Sequence, residues 1–356
     1  MPLDNLRRDC RFALVKSDSA RYSPFRSHQA ATQTVKTSSI DDDSIPVSGF
    51  VSGGGSPYAL ELRSSGSLRE QRKARRMLRV LERTVGSLEN RLILLAPPGK
   101  VPTFFRHVET DSTKHRHFIT QMQKLRGHVY LDDGAVQRHQ LSSDGLHQTP
   151  EDDKSWHLLT LDERQRVTGC AWYLEHDSAV GVDDLRVRHC PLAKAKAWRT
   201  ALWNGVEAEL ARARREYLKY AEVGGWAVAK ESRCTSEGLL LALAGYSLGR
   251  ICGGCLGLTT ATVRHCSSSI LRRLGGSPLE ASGTAVPSYY DPKYDCHMEI
   301  LRFDSRKPNA KYADVIELLR EKMANVKVIA LPPLEAAEDA YDEPTFASWS
   351  TQTAPA

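Results

Sequence analysis

The stretch AEVGGWAVAKESRCTSEGLL, residues 221–240, decides the fold. Its first half is apolar and favours a strand, but Gly224-Gly225 interrupts it. Glycine inside a strand marks a bulge or a close approach of backbone. Ala221–Lys230 therefore reads as a strand with a break in its middle. Thr235 stands where an N-cap belongs, and Ser236–Arg250 is a Leu-rich helix that Gly253-Gly254 stops. The first turn of that helix offers free N–H groups to an anion, and Arg233 adds a positive charge beside them.

Outward from this core the pattern alternates. His157–Leu161 and Arg166–Leu174 are apolar runs joined by the polar turn Asp162-Glu163-Arg164-Gln165, which predicts a hairpin. Pro191 opens a helix in which Trp198, Leu202, Val206 and Leu210 recur every four residues. Cys255–Val263 reads as a short buried strand, Ser267–Leu274 as a short helix stopped by Gly275-Gly276, and Cys296–Asp304 as a final strand. The order implies an α/β fold with a mixed central sheet flanked by helices, spanning about residues 101–331. Residues 1–66, rich in Ser, Asp and Gly, read as a disordered tail, and residues 332–356 as an irregular one. Between tail and domain, residues 67–100 read as a basic helix and linker. Met77, Leu78, Leu81, Val85 and Leu88 form one apolar stripe on it.

Hydrophobic residues at 41% and charged residues at 26% are ordinary for a globular chain. No run of 18 apolar residues predicts a membrane span, and Met1–Ala20 lacks the apolar core of a secretion signal. The expectation is a cytoplasmic protein whose eight cysteines stay reduced. The net charge of +6 is local: Ser67–Arg91 carries eight Arg or Lys against three Glu. That argues against a chain-wide nucleic-acid surface. The basic helix fits packing on the domain or on a second copy. Contact with nucleic acid or a membrane surface is the other use of such a rod.

Three features of these elements resemble the GNAT superfamily of acyltransferases, and within it the N-acyl amino acid and acyl-homoserine lactone synthases. In that fold a bulged strand feeds a helix whose first turn holds the donor's phosphates. The family's loop is Arg or Gln, two residues, Gly, one residue, Gly or Ala. Arg233, Ser236 and Gly238 occupy those places, with Ser236 replacing the first glycine. A short helix ending in a leucine-glycine pair follows the next strand, as Ser268–Gly276 does here. The tyrosine usual on that helix is Leu271, so the usual general acid is missing. Finally, Leu125-Arg126, a short apolar strand at Val129-Tyr130-Leu131, the acidic pair Asp152-Asp153 and the run His157-Leu158-Leu159 follow the order of the synthases' front ends.

The resemblance implies an N-acyltransferase that moves an acyl group from a thioester to an amine, an amino acid or a signal precursor among the candidates. Glu222, just before the glycine pair, is the candidate general base or orienting group. Backbone N–H groups at Trp226, Ala227 and Val228 are candidates to bind the thioester carbonyl, and Arg233, Ser236 and Gly238 to hold the donor. Arg126 and Asp153 are implied acceptor contacts. Tyr290 or Tyr294, in a hydroxyl-rich loop, can replace the missing acid. Trp172, Trp226 and Tyr246 are candidates for an acyl tunnel, with plain core as their other reading. No resident cofactor is implied; the co-substrate is an acyl-carrier protein or an acyl-coenzyme A. Cys252 and Cys255 have zinc-ligand spacing, but no second spaced pair completes a site. Two other functions stay open: a GNAT-fold binding protein without catalysis, and a nucleic-acid-associated factor using the basic helix.

Overall fold

The computed structural model describes residues 79, 81, 82, 85–233 and 235–332. The expectations for residues 1–66, for most of the basic stretch and for the C-terminal tail beyond residue 332 lie outside the described residues. Of the apolar stripe, Leu81, Val85 and Leu88 are described, and all three are buried in the core.

Strand β1 (Leu92–Leu95) comes first, then β2 (His107–Thr110) and the long helix α1 (Ser112–Asp132). The hairpin follows as β3 (Trp156–Leu161) and β4 (Val167–His176), and then α2 (Pro191–Lys194) and α3 (Arg199–Arg215). The glycine-interrupted strand is β5 (Lys219–Val228), and α4 (Glu237–Ile251) and β6 (Cys255–Thr262) succeed it. After α5 (Ser267–Leu274) come the two-residue strands β7 (Ser277–Pro278), β8 (Glu280–Ala281) and β9 (Thr284–Ala285). Strands β10 (Tyr289–Asp291) and β11 (Cys296–Asp304), helix α6 (Ala313–Met323) and β12 (Lys327–Ala330) are the last of the described elements.

The central sheet runs β10-β11-β6-β5-β4-β3-β1-β12-β2, and β7 adds to β11. It is mixed: β5 and β6 are parallel, as are β1 with β12 and β12 with β2, whereas the hairpin strands are antiparallel. Helices α4 and α6 cover one face, where Leu240, Leu241, Ala244, Ile316 and Leu319 join Leu158 and Tyr173. On the other face α1 packs over Leu159, Cys170 and Ala227, and α3 packs over Tyr220, Leu256 and Leu258. Alternate residues of each strand thus feed opposite cores, as a two-residue side-chain period requires.

Three readings change. The sheet takes in β1, ahead of the boundary expected near residue 101; its four residues are all buried between β3 and β12. Val129-Tyr130-Leu131 belongs to the last turns of α1 instead of a strand, since Asp111 caps that helix at Lys114 N–H and the turns run on unbroken to Asp132. The helix opened by Pro191 is two helices, with Trp198 as the N-cap residue of the second. Among the described residues no helix is long and apolar enough to cross a membrane.

Candidate active site

Strands β5 and β6 pair from Lys219↔Cys255 to Val223↔Thr259 and no further. The cause is at Gly224-Gly225. Opposite them β4 slips register between Cys170 and Trp172, so β5 carries one extra residue there, and Gly225 adopts φ +62°. Ala229 N–H donates to Thr168 O at 2.7 Å. By alternation along an antiparallel strand, Trp226 and Val228 then turn their polar backbone toward the gap left by β6, and Ala227 turns toward β4. Both carbonyls on that side accept weakly, Trp226 O from the Tyr130 hydroxyl and Val228 O from Arg233 Nε, each at 3.4 Å. A cleft therefore opens between two parallel strands, and α4 starts at its edge.

The indole of Trp172 closes the floor of this bulge. A Cβ on Gly224 or Gly225 would fall inside the van der Waals contact of that ring, and a Cβ on Gly225 would also meet Arg126 Nη1 at 3.2 Å. Arg186 lies over the other side of the indole, 5.4 Å from its centroid, and pairs with Glu151. Glu222, 5% exposed, shares this face of β5. Its two carboxylate oxygens accept the Arg186 backbone N–H at 3.0 and 3.1 Å, and His176 Nε2 stands 3.1 Å from Oε2.

Arg126 is fully buried on α1. Its Nη2 binds both oxygens of Asp152, at 2.6 and 2.9 Å, and donates to His147 O. Gln123 and Thr149 also donate to Asp152. Burial alone would raise the Asp152 carboxyl, but the Arg126 bonds outweigh it and hold it below the usual carboxylate range. Asp153, the residue the resemblance named, is exposed; its neighbour Asp152 points inward and takes Arg126.

The other expected residues divide. Tyr294 and Lys293, on the turn between β10 and β11, lie within electrostatic reach of Tyr130 and His147, so that turn reaches toward α1. Tyr290 is 49% exposed on the sheet edge and donates to Asp295, away from the cleft. Trp226 lies against Gly238 in the first turn of α4, whereas Tyr246 meets Phe303 in the core with the rings tilted at 56°. Ser236 is the N-cap residue of α4, and the Thr235 hydroxyl accepts Glu237 N–H at 3.2 Å. Arg233 does not stand free for a phosphate: Nη1 and Nη2 grip Asp133 at 3.0 and 3.3 Å. Next to it the buried Glu237 carboxylate accepts from Thr160 and Thr168. Among the described residues no cluster of metal-ligating side chains exists, and Cys252 and Cys255 are thiols whose pKa burial raises.

The ordering of these parts matches the resemblance drawn from the sequence. Strand β11 inserts between β6 and β10, and the parallel pair β5/β6 splays at a bulge. The fold is GNAT-like. No protein-family model matches the chain. No curated protein matches it either. Solved structures do. An N-acyl amino acid synthase from uncultured soil microbes is similar at 12% identity over 56% of this chain and 89% of that one, with a TM-score of 0.36. A CoA-dependent acyl-homoserine lactone synthase is similar at 14% identity over 70% of this chain and 98% of that one, with a TM-score of 0.43. Arylalkylamine N-acetyltransferase 2 from Aedes aegypti is similar at 13% identity over 56% and 97%, with a TM-score of 0.32.

The buried histidines of this site give a pH prediction. His147 and His157 are each pushed down to about 4, burial being the main cause, with the Arg126 charge adding to it at His147. An unfolded histidine titrates near ~6.5, so between there and about pH 4 the unfolded chain binds protons that the native chain refuses. Their contribution to stability is complete above about pH 6.5 and is lost as pH falls toward 4, at up to ~1.4 kcal/mol per pH unit for each histidine. Asp152 acts later: its depressed carboxyl loses its contribution as pH falls through the ordinary carboxylate range and below it. The urea midpoint is expected to fall from pH 6.5 to 4.5, and His157→Gln to remove part of that slope. A flat midpoint across this window would refute the assignment.

Proposed function

We propose that this protein is an N-acyltransferase that moves an acyl group from a thioester to an amine. One observation carries the reading: the splay of β5 from β6 after Val223, with polar backbone facing the gap and the buried Glu222 on the adjacent turn of strand. Such a gap admits a narrow extended arm, and backbone N–H groups aimed into it suit a developing oxyanion. Glu222 then orients the amine or takes its proton, with His176 beside it as the route by which the proton leaves. Tyr294, on the turn between β10 and β11, is the candidate for the acid in this reading. The acceptor in this reading is a small amine, with an amino acid among the candidates.

The donor that fits best is an acyl chain on a carrier protein. A nucleotide pyrophosphate favours a helix start with free N–H groups and a net positive field. At α4 the Arg233 charge is matched by Asp133, Glu237 places a buried carboxylate in the first turn, and Ser236 stands where the loop has glycine. At the same end of the cleft, α2 packs on β10, and Arg188, Lys194, Lys196 and Arg199 are exposed around it. That surface suits an acidic carrier, and screening weakens such docking. With one acyl group offered on both donors, turnover with the carrier form is expected to exceed that with the coenzyme A form. Raising salt from ~50 to ~500 mM is expected to lower the carrier rate several-fold. A preference for coenzyme A with no salt effect on the carrier form would defeat this choice of donor. Mass spectrometry of lipid extracts from overexpressing cells tests the activity itself, which predicts a new acylated amine.

A further inference from the structure

Arg126 is the least expected side chain in the molecule. It is a guanidinium with 0% exposure, and among the described residues its Nε and Nη1 have no hydrogen-bond partner. A buried donor without a partner is costly, so a native fold that keeps two of them on one charged group has a use for them. The group is not loose. Nη2 is clamped by Asp152 and His147 O, and Gln123 and Thr149 hold Asp152 in turn. The clamp leaves Nη1 turned to Gly225, close enough that a Cβ there would stand 3.2 Å away. Gly225 is the residue of positive φ at which β5 departs from β6. The unpartnered Nη1 thus lies buried against the bulge, on the face shared with Trp172 and Glu222.

Two ligands can take these donors: a carboxylate on the acceptor, or the carbonyl oxygen of the donor. Charge balance separates them. Arg126 is already matched by Asp152, Arg186 by Glu151, and Glu222 adds a further carboxylate with only His176 beside it. The buried guanidinium at the bulge and the one over Trp172 are thus already paired, so a ligand carboxylate there would have to compete with Asp152 and Glu151, which is unfavourable. A neutral carbonyl oxygen brings no charge in the ground state and accepts an N–H without disturbing either ion pair. It gains the most from a fixed guanidinium when the transition state places negative charge on it.

We propose that Arg126 is a catalytic residue whose free Nη1–H polarises the thioester carbonyl, supplying a side-chain donor to the oxyanion alongside the backbone of β5. This inference rests on the N-acyltransferase reading. In the step, the amine nitrogen attacks the carbonyl carbon, and the C=O π pair moves to oxygen, where Arg126 stabilises it. The amine proton goes to the Glu222–His176 pair. The oxyanion then collapses and the C–S bond breaks. The thiolate leaves with that proton, giving an amide and a free thiol. The Asp152 pair positions Arg126 and does not touch the substrate.

The test uses the full chain and S-hexanoyl-pantetheine labelled with 13C at the carbonyl. Without amine, infrared difference spectra of the bound donor are expected to show the carbonyl band shifted to lower frequency. Arg126→Met is expected to abolish that shift and to lower kcat by about 10²–10³-fold, with the KM for amine unchanged. Arg126→Lys keeps a charge in the same pocket and is expected to recover part of both. If Arg126→Met does not fold, the wild-type band and Arg126→Lys still decide: a wild-type band at its solution frequency overturns the proposal. So does a loss in Arg126→Met that falls on KM and only for amines bearing a carboxylate, which would assign Arg126 to the acceptor. Turnover by wild type with no dependence on Arg126 defeats the proposal alone. Failure of wild type to bind the thioester, or to acylate any of a panel of amino acids and neutral amines, defeats the acyltransferase reading with it.

Discussion

Glu222→Gln is expected to lower turnover by about 10²–10⁴-fold while leaving the fold intact, the range found when a positioned acid–base group is removed. The substitution is close to isosteric. One amide oxygen can still accept the Arg186 N–H that Glu222 accepts now, and the amide NH2 can face His176 Nε2. What is lost is the negative charge that draws a proton from the attacking amine. The alternative is that Glu222 only ties β5 to the segment carrying Arg186, and that alternative predicts a different pattern. The thermal midpoint would fall and turnover at a permissive temperature would stay near wild type. Single-turnover rates and melting curves on the same preparation separate the two, and unchanged turnover removes Glu222 from the chemistry.

Gly225→Ala is expected to be the most destabilising single methyl addition near the site. Two costs combine. At φ +62° an L side chain pays about 1–2 kcal/mol in backbone strain. The new methyl also collides with the Trp172 ring and presses on Arg126 Nη1, both buried, and overpacking of this kind costs roughly 1–3 kcal/mol. The sum, about 2–5 kcal/mol, is expected to move the melting midpoint by roughly 5–15 °C for a domain of this size. Gly134→Ala is the control. Gly134 has φ +68°, after the end of α1, but nothing lies within 4 Å of its added Cβ. It should show the strain cost alone, about 1–2 kcal/mol. Equal losses in the two variants would mean that Trp172 does not wedge the bulge and that the cleft can relax around a methyl.

Much of the architecture was legible because its signals are local. The β3–β4 hairpin, the glycine break in β5, the starts and stops of α4 and α5, and strand β11 each follow from a period, a cap or a glycine within a few residues. Helix α6 carries the same local signal: Val315, Ile316, Leu319 and Met323 are buried at helical spacing. Strand β1 was different. Leu92–Leu95 is four apolar residues with no alternation, and only its place between β3 and β12 makes it a strand. Helix α1 misled for a related reason. It turns His115, Gln123 and Arg126 inward, so its apolar stripe is broken by the residues that build the site.

For the site, sequence by itself determined which strand breaks and which carboxylate stands beside the break, since Gly224-Gly225 and Glu222 are adjacent in the chain. The tertiary structure alone decided the rest. Asp152 faces inward and Asp153 outward, a difference of one residue that no composition reveals. Arg233 is spent on Asp133, a hundred residues away, and Arg186 reaches Glu222 and Trp172 from a separate segment. Side-chain charge is visible in a sequence, but whether that charge is already matched depends on which distant segment packs against it. That is why the order of elements could be read along the chain, and why a fully buried guanidinium with two unpartnered nitrogens, Arg126, could be found only in three dimensions.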